Sequence, residues 1–137
     1  MASKNGTSVV SSQLNQQFNG AAYTPPSTIY VALLTTAATD YGTGVGSVEV
    51  TGGGYVRTAV VANVTNFPTT ATRSIGNGTV VNFVTPTASQ GTAVGFGYYS
   101  AVTGGTWQGG GDLATNQVLS TGNTVSFAIG ALTISLP

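Results

Sequence analysis

The spacing of apolar residues changes once along this chain. Val10, Leu14 and Phe18 recur every four residues, with Gln13, Asn15, Gln16 and Gln17 between them. That spacing lays an apolar stripe along one side of a helix. Ser11 or Ser12 can cap its start by accepting an orphan backbone N–H, and Gly20 can take the left-handed conformation that ends it. Roughly two turns of helix are marginal alone, so the stripe must dock on its own domain or on a neighbouring subunit. Residues 1–10 are small and flexible in character. After Pro25 and Pro26, which force an extended turn, the pattern is that of strands to the end of the chain. Residues 28–35 are β-branched, aromatic and apolar, which predicts a strand buried on both faces. Residues 36–46 form a Gly/Thr/Ala loop.

Residues 47–62 predict a hairpin with Gly52, Gly53 and Gly54 at its tip, where positive φ is needed. Val50 then faces Val56, and Glu49 faces Arg57. Glu49, Thr51, Tyr55 and Arg57 share one face, and Val48, Val50, Val56 and Val60 share the other. Placed on a surface, the Glu49–Arg57 pair contributes about 0–1 kcal/mol. Pro68 lies in a loop. Asn77-Gly78 marks a turn between Ile75 and Val80, and residues 79–84 form a strand closed by Pro86.

From residue 87 to 136 there is no proline, as central strands require. Residues 92–100 place Val94, Phe96 and Tyr98 on one face and Ala93, Gly95, Gly97 and Tyr99 on the other. The second face is nearly bare backbone, so a loop, a sheet, a ligand or another subunit must come close to it. Residues 103–111 predict a glycine-rich loop carrying Trp107. Near the C-terminus the apolar set shifts phase, from Val125, Phe127 and Ile129 to Leu132, Ile134 and Leu136. Gly130 sits at the shift, which is either a bulge or a turn between two short strands.

These elements predict an all-β fold: an antiparallel β-sandwich or small β-barrel, jelly-roll or Ig-like, with a short N-terminal helix. Residues 1–22 would form an N-terminal arm with the helix, and residues 23–137 the β-sandwich domain.

Charge changes this picture more than length does. Of 137 residues only Lys4, Arg57, Arg73, Asp40, Glu49 and Asp112 are charged, a share of 4%, and the chain has neither His nor Cys. About 25% is usual for a soluble domain. Three scattered cations do not suit a nucleic-acid reader, which typically neutralises about 6–10 phosphates. Thiol, imidazole and disulfide chemistry are excluded, and zinc or iron sites lack their usual ligands. Three carboxylates in unrelated contexts make a poor sugar-cleaving pair. Gly95-Phe96-Gly97 lies inside a strand pattern and lacks the third glycine of a dinucleotide fingerprint. No stretch is apolar and long enough for a membrane span. We therefore expect no enzyme activity, catalytic residues, cofactor or metal, and neither nucleic acid nor membrane as a partner.

Val, Ile, Leu and Phe still supply enough apolar mass for a core, and the surface is left to Thr, Ser, Asn and Gly. Asp112 is the only charge after Arg73, so the C-terminal strands have almost no charge to guard their edges. Coverage by neighbours in a homo-oligomer or shell is the expectation. The expected interface residues are Leu14, Phe18, Gly95, Gly97, Tyr99 and Trp107. Tyr55, Tyr98, Tyr99 and Trp107 could also form an aromatic platform for sugars, although core or interface roles explain most of them better. The extracellular-looking composition behind a start with no apolar run suggests a protein made in a cytoplasm and used outside the cell, as in virus particles released by lysis.

The chain resembles a family of small bacteriophage virion proteins, labelled tail-fibre or head-decoration proteins, over roughly residues 11–136. The carriers are the short helix, Gly20-Ala21-Ala22-Tyr23-Thr24-Pro25-Pro26-Ser27-Thr28-Ile29-Tyr30-Val31-Ala32-Leu33, and Glu49-Val50-Thr51-Gly52-Gly53-Gly54-Tyr55-Val56-Arg57. Gly91-Thr92-Ala93-Val94 and the closing stretch from Gly122 to Ile134 complete them. The resemblance implies a virion location and a capsid decoration (cement) protein, binding the major capsid protein or other virion proteins as a homotrimer. A tail fibre or tail-tip component is the alternative, with a host-surface glycan as partner in that case only. The chain departs from the family in its long glycine-rich insert at 103–111 and its uncharged helix.

Overall fold

The computed structural model describes residues 4–70, 72 and 74–135. In chain order the elements are β1 (Lys4–Asn5), α1 (Thr7–Asn19), β2 (Thr28–Thr36), β3 (Val48–Glu49) and β4 (Thr58–Val61). Then come β5 (Ser74–Ile75), β6 (Val81–Asn82), β7 (Gly91–Tyr99), β8 (Trp107–Leu119), β9 (Ser126–Phe127) and β10 (Ile134–Ser135). The main sheet runs β3-β2-β7-β8-β1-β10-β5, with β4 also paired to β2, and β6 and β9 form a small second sheet. The fold is all-β and almost wholly antiparallel, with one short N-terminal helix, and neither sheet closes into a barrel.

β2 is buried on both faces because its side chains enter two clusters. Val31 and Leu33 point into the main core, with Phe96, Tyr98, Leu119, Phe127 and Leu132 among their neighbours. Leu34 points the other way, into a smaller cluster with Tyr41 and Trp107. Residues contributed by the β6–β9 sheet and the C-terminal turn close the main core over one face.

Several local expectations are revised. Residues 47–62 do not pair with each other as a hairpin. β3 and β4 both pair with β2, at Leu34–Thr36 and Thr28–Val31 respectively, and the segment between them loops out. The long edge of β2 offers both flanks more ladder than they could give each other. The glycine tip survives, with φ of 78°, 56° and 78° at Gly52, Gly53 and Gly54. It is tied down by Gln90, whose Nε2 donates to the Gly52 carbonyl at 2.8 Å.

The glycine-rich stretch is mostly strand: β8 begins at Trp107, and only residues 100–106 turn. The edge argument changes with it. β7 lies between β2 and β8, but β1 covers β8 only at Gly109 and Gly110, so no described strand pairs with the outer side of β8 from Gly111 to Leu119, where Asp112 is the one charge. The other edges, β3, β4 and β5, are two to four residues long, and brevity itself blunts an edge.

At the C-terminus the turn reading holds. β9 joins the small sheet and β10 the main one, with Gly130 at φ 80° between them. Leu136 lies outside the described residues. Asn77 anchors this turn from a buried position: its Nδ2 donates to Ala128 O at 3.0 Å and its Oδ1 accepts from Leu132 N at 3.0 Å.

The bare glycine face is filled from within the chain. A Cβ at Gly97 or at Gly110 would lie within 3.0 Å of the Trp107 ring, and one at Gly95 within 3.0 Å of the Tyr41 hydroxyl. Gly97→Val should therefore destabilise the monomer itself, by about 1–3 kcal/mol or more from overpacking. The urea midpoint of the purified chain checks this, and an unchanged midpoint would contradict the packing.

Candidate functional site

The helix begins earlier than its apolar stripe suggests. Gly6 is the N-cap residue and makes no side-chain cap, so neither Ser11 nor Ser12 serves. Gly6 is required by contact instead: a Cβ there would meet the Trp107 carbonyl oxygen at 2.6 Å. Gly6 N donates to Gln108 O at 2.7 Å, Thr7 N to Gly42 O at 2.6 Å, and Ser8 Oγ to Trp107 O at 3.3 Å. The N-terminal end of α1 is thus pinned to β8 and to the loop after β2. Gly20 ends the helix as expected, at φ 73°.

None of the residues of α1 is buried. Leu14 is 52% exposed and Phe18 81%. The stripe does not dock on its own domain. Beneath the helix, on its other side, lies a groove of about 680 Å³. Ile29, Phe67, Ile75, Tyr98 and Ile134 contribute apolar walls, and Gln13 and Gln16 of α1 stand at its rim. Among the described residues no charged side chain lines it.

The other expected interface residues are used inside the chain. Gly95 and Gly97 are covered as described, and Trp107 is buried, its Nε1–H donating to Tyr41 O at 2.6 Å. Tyr99 is half-buried and packs edge-on against Trp107, with ring centroids 5.3 Å apart. The sugar platform is dispersed for the same reason. Tyr98 donates to Leu132 O at 2.5 Å in the core, and Tyr55 donates to Glu49 at 2.7 Å.

Glu49 and Arg57 do meet, through a bidentate pair rather than a strand register. Arg57 Nε donates to Glu49 Oε2 at 2.9 Å and Nη2 to Oε1 at 2.8 Å. The Arg57 side chain is only 7% exposed, so this is no ordinary surface pair. Its Nη1 donates to Ala101 O and Gly104 O, both at 2.8 Å, and the guanidinium lies 3.7 Å from the Tyr99 ring centroid. One cation therefore fastens the β7–β8 turn to β3. The other two carboxylates are equally occupied. Asp112 accepts from Tyr41 at 2.6 Å, and Asp40 accepts from Gly42 N at 2.8 Å and Thr43 Oγ1 at 3.1 Å. Among the described residues no group of three acidic side chains could hold a metal.

The residues missed by sequence reasoning are those of the groove, because its walls come from distant segments. Ile29, Phe67 and Ile134 share no local pattern.

These features define a β-rich protein whose Arg57 and three carboxylates are engaged within the fold and whose one helix is uncharged and carries an exposed apolar stripe. The model of the family described as "Podophage GP4 fiber I protein gp80" matches residues 6–135, and the chain belongs to that family. It is a structural protein of the phage virion. No curated protein matches the chain.

Two measurements test the site chemistry. Arg57→Lys keeps the charge but loses the planar fork and the ring stacking. It should cost about 1–3 kcal/mol and raise amide exchange at residues 101–104, and unchanged exchange there would contradict the anchoring role. Burial holds the Tyr41, Tyr55 and Tyr98 hydroxyls above the ordinary phenol range, with Asp112 adding to the effect at Tyr41 and Glu49 at Tyr55. The folded chain keeps these protons where the unfolded chain loses them, above a pH of about 10. Stability is then fully present below that pH and falls as pH rises through it. Urea midpoints measured from neutral to strongly alkaline pH should drop only beyond that point, and a flat profile would contradict the burial.

Proposed function

We propose that the protein is a non-catalytic subunit of a virion fibre, held in the particle by burial of apolar area between subunits. The observation that carries this reading is the uncovered stripe on α1, with Phe18 81% exposed on a helix without a single charge. An exposed aromatic of that kind marks an interaction surface when it belongs to a larger apolar patch. The word fibre in the family description supports the same reading. All three carboxylates already accept structural hydrogen bonds, which leaves none unengaged for acid–base work.

A second reading is favoured by one observation. With 4% charged residues the surface suits a close-packed array. On that reading the protein decorates the capsid as a homotrimer and clamps neighbouring copies of the major capsid protein. On either reading burial of apolar side chains is the expected mode of docking, and the open outer side of β8 beyond Gly110 leaves strand pairing available as well.

Quantitative mass spectrometry of purified virions separates the two. A fibre subunit should be present at a few to a few dozen copies per particle, against the major capsid protein as internal standard. Hundreds of copies would overturn the fibre reading in favour of shell decoration.

A further inference from the structure

We propose that a second, smaller cleft, between the first half of α1 and the β7–β8 turn, binds a neutral saccharide. The cleft holds about 340 Å³, at the small end of the range of about 300–1,000 Å³ usual for ligand sites. Its walls come from α1, from residues 23–26 and from both ends of the β7–β8 turn, all among the described residues. Tyr23 supplies an aromatic ring there, beside Pro26. None of Tyr55, Tyr98, Tyr99 and Trp107, whose rings are spent elsewhere, lines the cleft.

The polar groups that line it are uncharged and largely unspent. Elsewhere hydroxyls satisfy one another, as Thr85 and Thr124 do at 2.6 Å and Thr70 and Thr72 at 3.0 Å. In the cleft the hydroxyls of Ser12, Thr24 and Thr106 have no hydrogen-bond partner among the described residues. Ser100 Oγ accepts from Thr106 N at 2.8 Å and keeps its own proton to donate. Gln108 Nε2 donates to Thr106 O at 3.2 Å and leaves its Oε1 to accept. The walls are also held from behind. Arg57 Nη1 fixes the turn at Ala101 O and Gly104 O, and Ser8 Oγ ties α1 to Trp107 O. Binding therefore has little left to order, which favours it.

This chemistry selects the class of ligand. The cleft has no cation to pair a phosphate, sulfate or carboxylate, and no carboxylate to pair an amine. An apolar ligand would bury the hydroxyls and the amide unpaired, at a cost. A neutral sugar offers both donors and acceptors to them, and its C–H face can lie on the Tyr23 ring.

The inference stands apart from the particle-level reading, because binding is measured on the purified chain and a fibre subunit or a shell subunit can each carry the site. The test is an amide-shift titration by NMR of the full chain with maltose, lactose, mannobiose and diacetylchitobiose, and with sialyllactose as the acidic counterpart of lactose. At least one neutral disaccharide should bind with a Kd of about 1 mM and shift the amides of Ser12, Thr24, Ser100, Thr106 and Gln108. Raising sodium chloride to about 1 M should change that affinity by less than about 2-fold, since no charge takes part. Tyr23→Ala should weaken binding at least about 5-fold. Thr106→Val, which keeps the shape of an exposed residue and removes its hydroxyl, should do the same and covers the case in which Tyr23→Ala disturbs the fold. No shift with any neutral sugar at about 20 mM, or shifts centred on the groove beneath α1, would overturn the proposal. So would salt-sensitive binding, tighter binding of sialyllactose than of lactose, or folded variants that bind like the wild type.

Discussion

The Trp107 indole lies against backbone that has no side chains, and the rest of the architecture depends on that contact. Gly44, Gly97 and Gly110 each approach the ring so closely that a Cβ would come within 3.0 Å of it. Tyr41 stacks on one side and Tyr99 packs edge-on, while the indole N–H is satisfied by the Tyr41 carbonyl. Through Tyr41 the ring fixes the loop after β2. Through its own backbone carbonyl it receives Ser8, and it leaves Gly6 room to start the helix. The orientation of α1, and hence of its apolar stripe and of the groove beneath it, follows from one aromatic residue seated in a glycine slot.

The small number of charges has a complementary consequence. Arg57, Glu49 and Asp112 are directed into the fold, where they fasten the β7–β8 turn and Tyr41. Asp40 organises its own loop. The outer surface is built from hydroxyls, amides and exposed valines. Such a surface neither steers nor repels by long-range charge, so specificity must come from shape and apolar contact.

What was legible in the sequence was whatever depends on near neighbours. The double burial of β2, the left-handed Gly20, the positive-φ tip at Gly52–Gly54 and the Gly130 turn are all local signals, and all are present in the fold. The convergence of Glu49 on Arg57 was also readable, because they lie eight residues apart. Their ladder was not readable, because β2 competes for both flanks. Glycines 109–111 resemble a loop in isolation and become strand only because Trp107 and β7 need bare backbone to pack on. The exposed stripe on α1 was visible as a pattern, but its direction was set by contacts at Gly6 and Ser8 that no helical periodicity encodes. The groove was invisible for the same reason.

The central claim is that this virion protein is held by apolar area and not by charge. Retention on intact particles in rising sodium chloride tests it most directly. Screening weakens charge pairs and leaves apolar contacts intact or stronger. The account predicts that the protein stays on the particle up to about 1 M salt and leaves only when urea is added. Release by salt alone would contradict it.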